Sequence, residues 1–146
     1  MALEPYRGKR EPRRLATYDL EWIPGDAKKA AAHGFEPFEL RVVGYYDGRR
    51  YRAYTSMRDF LRGVLIGRNS GTWIFAHAGG LADIQFVFDY LIQYERDRYE
   101  ISAAFSGSSA IIVRIQRGRH HWVFCDSFWL IRSKLRDIGA WMGLEK

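Results

Sequence analysis

Apolar and polar residues recur along this chain with two different periods. Segments where β-favouring residues alternate with polar ones, or form short apolar runs between turn residues, predict strands. The strands predicted in this way are Leu15–Ile23, Phe38–Tyr46, Arg49–Tyr54, Thr72–Ala76, Tyr99–Phe105, Ala110–Arg117 and Trp122–Cys125. Asp47-Gly48 lies between the second and third strands and predicts a hairpin, because Asp-Gly suits a type I′ turn.

The helical period appears in three segments. The first is Met57–Leu65, which Thr55 or Ser56 can cap at its N-terminus. The second follows Gly79-Gly80 and is the best amphipathic pattern in the chain. Its apolar residues are spaced at i, i+3, i+4 and i+7, namely Ile84, Val87, Phe88 and Leu91.

A third helix is predicted from about Ser133 to Met142, and Gly143 follows as a C-terminal stop. Its predicted buried face is Leu135, Ile138 and Trp141. Three initial strands followed by alternating helices and strands predict an α/β fold. We expect a mixed central sheet with flanking helices in a single domain from residue 15 to 146, preceded by a basic N-terminal arm of residues 1–14.

Composition narrows the class of protein. The chain has 146 residues, of which 47% are hydrophobic and 16% aromatic, as expected for one folded domain. It has no apolar run long enough to span a bilayer and no N-terminal signal-peptide pattern. The single cysteine, Cys125, reads as a buried apolar residue. We therefore expect a reducing compartment, cytoplasmic or nucleoid-associated, without secretion or membrane insertion.

A formal net charge of +6 indicates a polyanionic partner. Part of this charge lies in the N-terminal arm, MALEPYRGKREPRR, which could equally be a solvated, disordered segment.

Acidic residues supply the candidate chemistry. Alternation places Thr17, Asp19 and Glu21 on one face of the first strand, with the two carboxylates about 6.5 Å apart along it. Either that face is open to solvent or a cation compensates it, and a divalent cation with oxygen ligands fits. Asp83 lies in the first turn of the second helix, where an acid is also a common cap or dipole partner. Ligands of α/β sheets bind at strand ends, so Asp83 can meet the first two acids there.

Three segments carry a family resemblance. YDLEW at Tyr18–Trp22 resembles the first motif, Asp-x-Glu, of the DEDD superfamily of 3′–5′ exonucleases. FAHAGGLADIQFVFDYL at Phe75–Leu91 resembles the second motif of family B DNA polymerases, specifically their protein-primed branch. FCDSFWLIRSKL at Phe124–Leu135 is similar to that branch's Asp-Ser-aromatic segment. The similarity runs in order over nearly the whole chain and implies a proofreading-type exonuclease domain with an RNase H-like sheet.

The resemblance assigns roles to individual residues. It implies that Asp19, Glu21 and Asp83 are metal-ligating, catalytic carboxylates for two Mg²⁺ or Mn²⁺ ions. It implies that His77, Ser127 and Phe128 contact a single-stranded DNA 3′ end, with RNA also possible and with a polymerase domain C-terminal to this segment. Asp126 is a secondary candidate, although it is interpreted mainly as the residue that ends its strand and organises the turn.

The chain also departs from the family pattern. Ala78 stands where the family has an asparagine, and Ala82 where it has a phenylalanine before the motif-two aspartate. The third motif, Tyr-x-x-x-Asp, is absent before Lys146, so the fourth acid and the residue that orients the attacking water are missing. We therefore expect either an impaired metal-dependent 3′–5′ exonuclease domain or fragment, or a catalytically inactive nucleic-acid-binding or scaffolding module. A globular domain that binds another protein is a third reading.

Overall fold

The computed structural model describes residues 14–24, 38–77 and 82–144, and seven strands form one mixed sheet. Their bounds are β1 Leu15–Pro24, β2 Phe38–Tyr46, β3 Tyr51–Tyr54, β4 Trp73–Ala76, β5 Glu100–Ser106, β6 Ser109–Arg117 and β7 His120–Asp126. The order across the sheet is β3-β2-β1-β4-β7-β6-β5. The first three strands are antiparallel, β4 runs parallel to both β1 and β7, and β5, β6 and β7 are antiparallel. The predicted mixed sheet is confirmed.

Three helices complete the described fold: α1 Met57–Val64, α2 Asp83–Tyr94 and α3 Leu135–Trp141. Short 3₁₀ turns lie at Gly67–Asn69 and Ser127–Trp129. Ser56 is the N-cap of α1, where its hydroxyl oxygen accepts the backbone N–H of Asp59 at 3.1 Å. This bond satisfies one of the amides that a helix leaves unpaired at its start, and it confirms one of the two predicted caps.

The hydrophobic core lies between the sheet and the first two helices. Phe60 of α1 is fully buried, and its ring contacts the rings of four strand residues, namely Tyr18, Tyr45, Tyr54 and Phe124. Ile84, Val87 and Leu91 of α2 are fully buried in the same cluster, so α1 and α2 pack on one face of the sheet. Cys125 is buried with a free thiol, as predicted.

The β2–β3 hairpin is confirmed, but its predicted type I′ turn is wrong. Tyr46 pairs directly with Tyr51, so four residues form the loop rather than two. The Asp47 carboxylate accepts the backbone N–H groups of Arg49 at 2.9 Å and Arg50 at 2.8 Å, and Gly48 has a φ of 90°. The aspartate and the glycine therefore do favour a turn, but the aspartate does so through its side chain.

The predicted buried face of the last helix is also wrong. Leu135 is 65% exposed and Trp141 is 70% exposed, and no residue of α3 is buried. Helical periodicity identifies which face is apolar, whereas burial requires a neighbouring element on that face. The C-terminal stop is confirmed, because Gly143 has a φ of 70° and its N–H donates to the Ala140 carbonyl.

Two features predicted from the sequence fall outside the described residues. They are the basic arm, of which only Arg14 is described, and Ala78 of the second motif. Within the part of the chain that the structure covers, no helix is long and apolar enough to cross a membrane.

Candidate functional site

Strand β1 divides its side chains between the core and the candidate site. Ala16, Tyr18 and Leu20 are buried under the helices, whereas Asp19 and Glu21 are exposed on the opposite face of the sheet. Since successive side chains of a strand point to opposite faces, the same alternation that builds the core presents both carboxylates. The predicted shared face of Asp19 and Glu21 is confirmed.

Asp83 reaches β1 where the strand extends beyond its neighbour. The parallel pairing of β1 with β4 covers only Leu15 to Thr17. Beyond that point the backbone N–H of Leu20 donates a hydrogen bond to the Asp83 carboxylate. Asp83 is 8% exposed and occupies the first turn of α2. A residue about 60 positions along the chain is therefore attached directly to the strand that carries the first two acids.

The acids interact through their charges. The pKa of Asp83 is raised to about 7, chiefly because burial disfavours its ionised form and next because of the nearby Asp19 carboxylate. Asp126 and Glu21 raise it further, and the hydrogen bond from Leu20 opposes the shift. The charged groups that raise this pKa are three other carboxylates, so the site concentrates negative charge at the carboxyl ends of β1, β4 and β7.

Asp126 is the fourth acid of this cluster and is buried at the end of β7, opposite Ala76 of β4. Its carboxylate accepts the backbone N–H of Phe128 at 2.9 Å and thereby caps the 3₁₀ turn that follows. This is the turn-organising role predicted for it. Burial raises the pKa of the Tyr18 hydroxyl well above its usual value, and the Asp83 and Asp126 carboxylates raise it further.

A hollow of about 510 Å³ opens on the sheet face that carries Asp19 and Glu21, and we call it the acid hollow. Besides the two acids, its wall includes Tyr46, Tyr51, Phe75, His77, Ser127 and Leu135. Its lining therefore combines two carboxylates with aromatic rings.

The four acids divide into two pairs. Asp19 and Glu21 line the acid hollow and are exposed, whereas Asp83 and Asp126 are buried and do not line it. Among the described residues, no three histidine, cysteine, aspartate or glutamate side chains are grouped closely enough to hold a metal ion. The donor chemistry suits a hard divalent cation, but the two exposed side chains would have to turn toward Asp83 to coordinate one.

His77 connects the wall of the acid hollow to the segment before α3. The Ser127 hydroxyl donates to the Ala76 carbonyl at 3.0 Å, so it accepts from His77 Nδ1 at 2.9 Å. His77 Nε2 lies 2.7 Å from the Ser133 carbonyl, which can only accept. All three bonds form together when both ring nitrogens carry protons. In the neutral ring, the Ser127 hydroxyl must turn to donate to Nδ1.

The remaining residues of the predicted nucleic-acid contact lie close to His77. Phe128 is 37% exposed and meets the His77 ring edge-to-face, with ring centroids 6.2 Å apart. Ser127 and His77 line the acid hollow, but their polar atoms already bond within the protein. Ala82 is the N-cap residue of α2 and provides no side-chain cap.

Sequence patterns did not identify two tyrosines of the acid hollow. Tyr46 and Tyr51 are exposed on β2 and β3, where tyrosine is an ordinary strand former. Gly44, in the middle of β2, was the available signal, because glycine within a strand often marks a close approach by another group. A second hollow of about 620 Å³ lies elsewhere on the sheet, between Trp73, Arg114 and His121, and holds none of the predicted site residues.

Comparisons with known proteins bear on the fold. No protein-family model matches the chain, and no curated protein sequence matches it. Among solved structures, it is similar to Phi29 DNA polymerase in a ternary complex with primer-template DNA and incoming nucleotides, with 17% identity, a TM-score of 0.69 and coverage of 94% of this chain. The same polymerase complexed with single-stranded DNA matches 92% of this chain, with a TM-score of 0.68.

The chain spans about a quarter of the polymerase it matches, since 24% of that protein's chain is covered. At this identity the likeness establishes the fold. The chain thus has the RNase H-like mixed α/β architecture that the family resemblance implied, and it shares that architecture with part of Phi29 DNA polymerase.

Proposed function

We propose that this chain is a metal-dependent 3′–5′ exonuclease-type domain that takes a single-stranded 3′ end into the acid hollow. The supporting observation is the position of Asp83, which is held by the Leu20 backbone near Asp19, Asp126 and Glu21, so that burial and these three carboxylates raise its pKa to about 7. Such mutual repulsion at strand ends destabilises the protein unless a cation balances it. A buried carboxylate with a raised pKa beside a hollow lined by other acids is typical of a functional site.

The acids fit a divalent cation through their chemistry and their mobility. Carboxylate oxygens are preferred ligands of Mg²⁺ and Mn²⁺. Asp83 is held by the Leu20 amide, whereas Asp19 and Glu21 are exposed and can adjust their rotamers. When bound, such an ion would lower the pKa of a coordinated water and offset the charge of a phosphate.

The other residues of the hollow would bind the strand. Phe75 in the wall of the hollow and Phe128, which packs edge-to-face against His77, present rings on which bases can stack. His77 and Ser127 would act chiefly by fixing the wall of the hollow, because their polar atoms are engaged with Ala76 and Ser133. We propose that a polymerase domain lies C-terminal to this domain. The proposed substrate is single-stranded DNA, and single-stranded RNA is the alternative substrate.

A non-catalytic nucleic-acid-binding module is the second candidate. It is favoured by the burial of Asp83 and by the engagement of Asp126 in its turn, because of the four acids Asp19 and Glu21 then line the hollow. Loss of a group that orients the nucleophile costs about 10²-fold or more in rate, so residual hydrolysis would be slow. Both candidates require the hollow to bind a strand, and they differ only in chemistry.

The deciding experiment uses a 5′-labelled single-stranded oligonucleotide with Mn²⁺ or Mg²⁺. We expect weak Mn²⁺ binding and slow shortening by the wild type, and none by Asp19→Ala/Glu21→Ala. Asp97→Ala, which removes an exposed acid after α2, is the matched control and should behave as the wild type. Metal-independent binding without shortening would support the second candidate. Failure to bind single strands at all would contradict both.

A further inference from the structure

The strand register brings Tyr51 close to the acid pair. Asp19 of β1 lies directly opposite Gly44 of β2, and Tyr51 of β3 lies directly opposite Tyr46. Residues opposite each other in antiparallel strands share one face of the sheet, with Cβ atoms about 4.5–5.5 Å apart. Tyr51 and Asp19 accordingly line the same hollow.

The Tyr51 ring packs closely against Gly44, where no side chain is in its way. A Cβ atom on Gly44 would lie 2.7 Å from Tyr51 Oη, 3.2 Å from Cε2 and 3.3 Å from Cζ, so a side chain at this position would displace the ring. The outer half of the ring therefore rests on the bare backbone of the residue opposite Asp19. Tyr51 nevertheless remains 68% exposed, so the other face of its ring is open to a ligand.

We propose that Tyr51 is a stacking platform for an unpaired nucleobase at the 3′ end of the strand. This inference rests on the proposed function and adds the position of the base. An aromatic ring supported on a glycine loses little entropy on binding, because the backbone contact already orients it. A base on its open face would lie beside Asp19, with the adjoining phosphate toward the acids. Stacking uses the π-face common to all bases, so it suits DNA and RNA strands alike.

A matched control exists on the opposite face of the same strand. A Cβ atom on Gly63 of α1 would lie 2.7 Å from Tyr54 Oη, so Tyr54 approaches a glycine on the helix side of the sheet as Tyr51 does on the open side. Gly44→Ala and Gly63→Ala should each displace a tyrosine ring of β3, but only the first ring borders the acid hollow. Neither glycine has a positive φ, so the change acts through the ring.

The experiment measures oligonucleotide binding in the absence of a metal ion. Affinity for five-residue oligo(dA) and oligo(A) is measured by fluorescence anisotropy in EDTA, in an Asp19→Ala/Glu21→Ala background that abolishes the proposed metal site. In that background, Tyr51→Leu should weaken both oligonucleotides about 5-fold to 100-fold, the range expected for one stacked base. Tyr51→Phe should retain affinity because it keeps the ring. Gly44→Ala should follow Tyr51→Leu, whereas Gly63→Ala should not.

An oligonucleotide whose 3′-terminal base is missing provides the second measurement. It should bind the background protein as weakly as the intact oligonucleotide binds Tyr51→Leu, and Tyr51→Leu should weaken it no further. Unchanged affinity in Tyr51→Leu, or an equal loss with the abasic probe, would overturn the platform. Because neither readout needs metal or hydrolysis, the platform can fail while the nuclease assay succeeds, and the reverse.

Discussion

Replacing Asp83 with asparagine should stabilise this protein at neutral pH. Asparagine has nearly the same shape, and its carbonyl oxygen can still accept the Leu20 N–H. It cannot ionise, so it removes the cost of holding a charged carboxylate that is 8% exposed among other acids. A rise in pKa from 3.8 to about 7 corresponds to about 4 kcal/mol at 1.36 kcal/mol per tenfold change in acidity. Local relaxation reduces this, and we expect a gain of about 2–4 kcal/mol.

The pH dependence has a definite sign. Below about pH 4, Asp83 is protonated in the folded and the unfolded chain, so its ionisation costs nothing. Between about pH 4 and pH 7 the unfolded chain loses this proton while the folded chain keeps it, and wild-type stability falls relative to the variant. Above pH 7 both states are ionised and the full difference is present. The advantage of Asp83→Asn should therefore grow from near zero at pH 4 to its maximum by pH 8.

Urea unfolding followed by tryptophan fluorescence in EDTA at pH 4, 6 and 8 measures this difference. Asp97→Asn, an exposed matched change, should show no such trend. Adding Mn²⁺ at pH 8 should then stabilise the wild type by about 2.7 kcal/mol at a hundred times its dissociation constant, and leave Asp83→Asn unaffected. An Asp83→Asn variant no more stable than the wild type at pH 8, or an advantage that does not change with pH, would refute the electrostatic reasoning.

Further predictions concern the core, the caps and the strand contact. Phe60→Ala should lower the free energy of unfolding by about 3–5 kcal/mol in urea, because four ring contacts are lost in a fully buried site. Ser56→Ala should lower it by about 1 kcal/mol, since only the α1 cap is removed; a loss above about 2 kcal/mol would indicate another role. His77→Ala should speed tryptic cleavage at Lys134 several-fold, because the bond to the Ser133 carbonyl is lost; an unchanged rate would contradict this tether. Affinity for single strands should fall as salt rises, and a flat salt series would exclude phosphate contacts.

Local rules predicted the strands and the exposed acid pair. The alternation in β1 is enough to place Asp19 and Glu21 together, because a strand has only two faces. The amphipathic period of α2 likewise predicts its buried residues Ile84 and Leu91. These features depend only on residues close together in sequence, and all of them are confirmed.

Features that depend on distant partners were not predictable in the same way. The hydrogen bond from Leu20 to Asp83 exists because β1 extends past its pairing with β4, which no sequence spacing reveals. Leu135 and Trp141 have the right period for burial, but burial depends on what packs against α3. Tyr51 belongs to the site because the strand register places its ring against Gly44, and local sequence patterns do not fix that register.

The double use of β1 limits how this protein can change. Its odd-numbered positions from Thr17 to Glu21 face the acid hollow, and its even-numbered positions from Ala16 to Leu20 face the core. Inserting or deleting one residue between Ala16 and Glu21 would turn carboxylates into the apolar interior and aromatic or aliphatic groups out to water. Substitution can thus remove the acids one at a time. A one-residue insertion or deletion within the strand shifts its register and removes both the fold and the site in a single step.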